Sequence, residues 1–152
     1  MKNGNYGKFA LLLTASFLLM YAIMFLNVNE PDHIYINMTR FYMTQMMIAA
    51  MAVLMLAMMP MMYPDKKKNR ALIIVGIVVF GLAFAGVHRQ VGISDVQYMK
   101  GMIPHHSIAI MTSENAHITD PRVRKLADGI IATQEKEIKE MKALIDSLQQ
   151  KH

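Results

Sequence analysis

Three long apolar runs open the chain, and an amphipathic stretch closes it. Phe9 to Val28 is apolar almost without a break. As a helix, a run of about 20 residues rises about 30 Å, the thickness of the hydrocarbon core of a bilayer. The run is long for a signal peptide, and the residues after it (Asn29, Glu30, Pro31) offer no small-x-small cleavage site, so it reads as an uncleaved first span over 9–28. Phe41 to Tyr63 predicts a second span, with its clearly polar residues Thr44 and Gln45 near one end. Tyr42 and Tyr63 stand where an aromatic belt would place them, and Pro60 and Pro64 mark the end. Ala71 to about His88, rich in Val, Ile and Gly, predicts a third span over 71–88.

From residue 91 onward the pattern changes. Ser94 and Gln97 form a capping-box pair that opens a helix running to about Ala116, with Pro104 predicting a kink or a fresh helical start. Thr119-Asp120-Pro121 reads as a turn followed by a helix with Pro at its first position. This helix runs to about Gln149 and carries Val123, Leu126, Ala127, Ile130, Ile131, Ile138, Met141, Leu144, Ile145 and Leu148 at close to a 3.6-residue period. Glu135 with Lys139 and Lys136 with Glu140 support its outer face. The expected fold is all-α: three transmembrane helices over 1–90, then an extramembrane antiparallel helical hairpin over 91–152.

The chain of 152 residues carries a net charge of +5. The excess sits at Lys2, Lys8 and the run Lys66-Lys67-Lys68-Asn69-Arg70, next to apolar segments, and forms no face that could track phosphates. Nucleic acid is therefore not an expected partner. By the positive-inside rule the N-terminus and the basic loop 65–70 are cytoplasmic, the loop 29–40 lies outside, and so does everything after His88. With no Cys, disulfides, thiolate metal sites and thiol nucleophiles are excluded.

The chain has 17 Met, and several share a level of the expected hairpin with other donors. Met99, Met102 and His106 recur at i+3 and i+4 on the first helix, as Gln134, Glu137 and Met141 do on the second. Folding about a turn near 119–120 sets Met141 beside Met99, Glu137 beside Met102 and Gln134 beside His105. Thioethers favour Cu(I), and imidazole suits both copper states. Calcium or magnesium would need more oxygen ligands, and zinc gains little from Met. Core packing explains the same Met spacing, and the residues alone leave both readings open. A Met stripe along the second span (Met43, Met47, Met51, Met55, Met58 or Met59, Met62), faced by Met20 and Met24, could relay Cu(I) towards Met38 and His33. Ordinary helix packing is the favoured explanation there. His88 is placed at the outer end of the third span, Glu114 and His117 in solvent near the turn, and His152 in the tail. No two His fall at mid-membrane, which disfavours haem.

The stretch from Tyr98 through Met99, Met102, Pro104, His105, His106 and Met111, then Leu126-Ala127, Ile130-Ile131, Gln134, Glu137-Ile138 and Met141, resembles the domain-of-unknown-function 305 family over about residues 95–145. The resemblance implies a ferritin-like helical arrangement, an association with copper binding and resistance, and a bacterial plasma membrane with the C-terminal part in the periplasm. It marks Met99, Met102, His105, His106, Met111, Gln134, Glu137 and Met141 as the characteristic positions. One hairpin alone exposes its apolar face, so a homo-oligomer is expected. The expected function is a membrane-anchored copper-binding protein, with copper, the lipid bilayer and a copper-transfer protein as partners. The rival is a structural or adaptor protein whose hairpin serves assembly without metal. No catalytic constellation points to an enzyme.

Overall fold

A computed structural model describes residues 5–150; Lys2 and His152 lie outside them. Among the described residues the chain forms five α-helices, with no strand: α1 (Tyr6–Ile23), α2 (Met38–Met58), α3 (Lys66–Arg89), α4 (Asp95–Asn115) and α5 (Pro121–Gln149). A single 3-10 turn, Pro31–His33, lies between α1 and α2. The helices α1, α2 and α3 are long and apolar enough to cross a membrane. The chain divides into two compact units: one of residues up to Ile23 with Thr39–Val91, the other of Met24–Met38 with Gly92 onward.

In the first unit, Phe9, Ala52, Leu56 and Tyr63 form the buried centre, with Tyr6, Leu13, Met55, Leu72 and Ile73 packed on it. Large apolar side chains such as Leu11, Leu18, Leu54, Ile77 and Leu82 point outward and are more than half exposed. In water so broad an apolar surface would drive association, whereas hydrocarbon solvates it. Met43, Met47, Met58 and Met62 of the Met stripe share that outer surface, while Met55 packs on the core.

The span boundaries differ from expectation. The first helix starts at Tyr6 and stops at Ile23, not Val28, because the segment from Met24 groups with the C-terminal unit. The second stops at Met58, two residues before Pro60, whose ring disfavours helical backbone in its predecessor. The basic stretch expected as a loop is instead the first turn of α3. Asp65 caps it, its carboxylate accepting from the N–H groups of Lys67 and Lys68 at 3.0 Å each.

Gly76 marks where α3 approaches α2 closely. A Cβ there would lie 2.8 Å from Val53 Cγ2 and 3.5 Å from the Ala49 carbonyl oxygen. A helical Val has one strongly preferred rotamer, so it cannot swing aside. Gly76→Ala is expected to destabilise this unit by about 1–3 kcal/mol. Adding Val53→Ala should recover much of the loss in thermal unfolding of the detergent-solubilised protein.

The second unit is built on α4 and α5. Ser94 caps α4, its Oγ accepting from Gln97 N–H at 3.4 Å. The reciprocal half of the expected capping box is redirected: Gln97 Oε1 accepts from the Met38 N–H at 3.3 Å. The helix is continuous through Pro104, with no fresh start. Pro104 has no N–H to offer the Lys100 carbonyl, and its ring is fully buried. Asp120 caps α5 by accepting from the Arg122 N–H at 2.8 Å, with Pro121 at the first position as expected. Met99, Ile103, Ile110, Ile138 and Ile145 form the buried core between the two helices. The rest of the predicted α5 face is not all covered: Val123, Leu126, Ile130 and Leu144 remain exposed.

Candidate metal site

Along α4, Met99, Met102 and His106 fall on one side at successive turns, and along α5 so do Gln134, Glu137 and Met141. These six side chains line one open groove of about 910 Å³. Met99 is buried at its floor, and Met102, His106, Gln134, Glu137 and Met141 are half-buried in its walls. His105, next to His106 in sequence, is exposed and does not line the groove; the two rings are 6.2 Å apart. Met111 is half-buried elsewhere on α4. Asp95, Tyr98 and Glu140 also line the groove, none of them expected as a site residue; Glu140, expected on the outer face of α5 with Lys136, borders the groove instead. Their signal was present: Asp95 is one turn before Met99, and Glu140 one turn after Glu137.

The electrostatic centre of the groove is the pair His106 and Glu137. His106 Nδ1 is 3.1 Å from Glu137 Oε2, yet it is buried and makes no aligned hydrogen bond. A buried polar nitrogen without an aligned partner costs about 1–3 kcal/mol, so its retention suits a further ligand. Burial holds the His106 imidazole below its ordinary pKa; Glu137 pulls the other way, and His105 adds to the lowering. At neutral pH the ring is therefore neutral, with a lone pair free to bind a soft or borderline cation. Glu137→Gln removes the one raising influence, so the His106 pKa should fall further. An NMR titration of the ring protons in which it rose would contradict this electrostatic account.

Residues 94–152 match the family described as a domain of unknown function (DUF305). The chain is also 34% identical over 145 residues to an uncharacterized protein of Acanthamoeba polyphaga mimivirus, a match covering 93% of each chain. The chain belongs to the DUF305 family. The family match spans α4 and α5 and therefore the whole groove, while the viral relative aligns through the apolar helices as well. No solved structure is significantly similar to this DUF305 protein.

Proposed function

We propose that this DUF305 protein is a membrane-anchored copper-binding protein that takes up copper, as Cu(I), in the groove between α4 and α5. The observation that carries this reading is that Met99, Met102 and Met141 line the same groove as His106, a buried imidazole whose Nδ1 makes no aligned hydrogen bond. Three neutral thioethers and a neutral imidazole are soft to borderline donors, and Cu(I) is the ion that such a set selects. Glu137 lends a negative charge beside them, 3.1 Å from His106. His105 and Met111, exposed or half-buried on the same helix, are candidate relay positions for loading or handing over the ion.

The pairings of Ser113 with Arg124 and of His106 with Glu137 support an antiparallel α4–α5 hairpin, half of a ferritin-like bundle. The lysines at the start of α3 favour a cytoplasmic N-terminus and a C-terminal unit on the far side of a bacterial plasma membrane. There the protein would serve copper tolerance, storage or delivery to a partner protein. Copper content of the protein purified from copper-fed and copper-starved cells tests the reading. Copper should accompany the protein after feeding, and copper at background in both preparations would refute it.

A second reading is favoured by the exposed Val123, Leu126, Ile130 and Leu144 on α5: the hairpin is an assembly element, with no metal. It predicts that substitutions in the groove change crosslinked oligomer size while metal content stays at background.

A further inference from the structure

We infer that the 3-10 turn before α2 carries a separate site for a borderline divalent cation, of the Cu(II) or Zn(II) class, formed by His33, Asp32 and Glu30. One ligand atom from each of the three residues lies within 4.8 Å of the others. The turn arises from Pro31 at its first position, which places Asp32 and His33 on consecutive residues with Glu30 just before them. This places two carboxylates and an imidazole around one point without any strand or helix to order them.

The histidine distinguishes this cluster from an ordinary acidic surface. His33 is 5% exposed, whereas the side chains of Glu30 and Asp32 are largely exposed. Its Nδ1 lies 2.9 Å from Ser107 Oγ, and the same hydroxyl accepts from the Asn29 N–H at 2.6 Å. The imidazole is therefore held from behind by a fully buried side chain on α4. Its other nitrogen, Nε2, is turned towards the carboxylates, 3.7 Å from Glu30 Oε2 and 3.7 Å from Asp32 Oδ1. Those separations are too long for hydrogen bonds, and Nε2 makes none among the described residues. A histidine whose far nitrogen is fixed by hydrogen bonding while the near one faces open donors is the arrangement of a metal ligand with its outer support.

The donor set decides the class of ion. One imidazole and two carboxylates carry two negative charges, matching a divalent cation. They contain no sulfur for Cu(I) and too few oxygens for Ca²⁺. Zn(II) and Cu(II) both accept three protein ligands with positions left for water. Lys142 of α5 pairs with Asp32, and Lys139 borders the same cleft of about 200 Å³. The ammonium of Lys142 is the charge that an incoming ion would displace, and it sets the affinity below that of an unopposed site.

This site does not depend on the Cu(I) groove. Ser107 follows His106 in sequence, but one faces the turn and the other the groove. The test uses the full chain in zwitterionic lipid nanodiscs with Cu(II) as the probe, read by electron paramagnetic resonance and by competition with a chelator of known affinity. A single Cu(II) should bind with one nitrogen donor and otherwise oxygen donors. Ser107→Ala keeps all three ligands but releases His33, and should weaken binding by about 10–100-fold. Glu30→Gln with Asp32→Asn, both on largely exposed side chains, should weaken it at least as much. Lys142→Met should tighten it, and Met102→Leu with Met141→Leu should leave it unchanged. Unchanged Cu(II) affinity in the Glu30→Gln, Asp32→Asn variant, or a spectrum showing two or more nitrogens, would overturn the assignment. Loss of Cu(I) binding in the groove alone would sink the other reading and leave this one standing.

Discussion

Replacing Met102 and Met141 by Leu and His106 by Ala in one chain will lower Cu(I) affinity by at least about a hundredfold, since each tenfold step needs only about 1.4 kcal/mol. The full-length protein in nanodiscs, titrated without oxygen against a Cu(I) chelator, gives the number. Leu conserves the volume of Met, so each of those two changes should cost less than about 1.5 kcal/mol in stability. Neither Met102 nor Met141 belongs to the most buried core, which makes the loss attributable to the donors and not to collapse of the groove. His105→Ala and Met111→Leu provide the contrast, because neither side chain lines the groove. Their effect should be at least tenfold smaller, about the worth of one weak contact. Equal losses from both sets of substitutions would mean that the groove is not the site. An affinity that none of these changes moves would leave assembly as the better account.

Much of the architecture could be read along the chain because its causes are local. A bilayer demands about 20 apolar residues per span, and the three runs satisfy that demand plainly. The helix starts after Ser94 and at Pro121 were visible for the same reason, because a capping oxygen and a proline at the first position each act within one turn. The end of α1 was not visible. Met24, Phe25 and Leu26 are as apolar as the helix before them, and what draws this segment into the second unit lies far along the chain. The Asn29 N–H meets Ser107 across 78 positions and the Met38 N–H meets Gln97 across 59. No window of 20 residues contains either partner.

The candidate site shows the same division. Helical spacing alone grouped Met99, Met102 and His106, and Gln134, Glu137 and Met141, and all six line the groove. The cross-helix register was less legible. Glu137 was expected beside Met102, but it contacts His106, one turn further along α4. The cluster at Glu30, Asp32 and His33 was hidden differently. His33 had been noticed only as the end of a Met relay, and its burial depends on Ser107, which no local pattern announces.

Ile103→Ala is expected to have the largest effect on stability. Ile103 is completely buried at the centre of the α4–α5 core, between Met99 and Ile110 on the same face. Removing its branched side chain leaves a cavity and should cost about 2–5 kcal/mol. A unit this small draws only about 3–5 kcal/mol from its core, so most of its stability would go. Amide hydrogen exchange on the full chain in detergent should show α4 and α5 losing protection while α1 to α3 keep theirs, because the two units have separate cores. Ile103→Val, at about 0.5–1.5 kcal/mol, should leave protection nearly intact. The same variant also tests function through linkage. A ligand held only by the folded groove, at a hundred times its dissociation constant, adds about 2.7 kcal/mol to the folded state. Cu(I) should therefore restore much of the protection lost in Ile103→Ala, and should restore none once Met102, Met141 and His106 are also replaced. If buffered Cu(I) left the exchange of Ile103→Ala unchanged, the groove would be a structural seam between two helices and not a place where the protein holds copper.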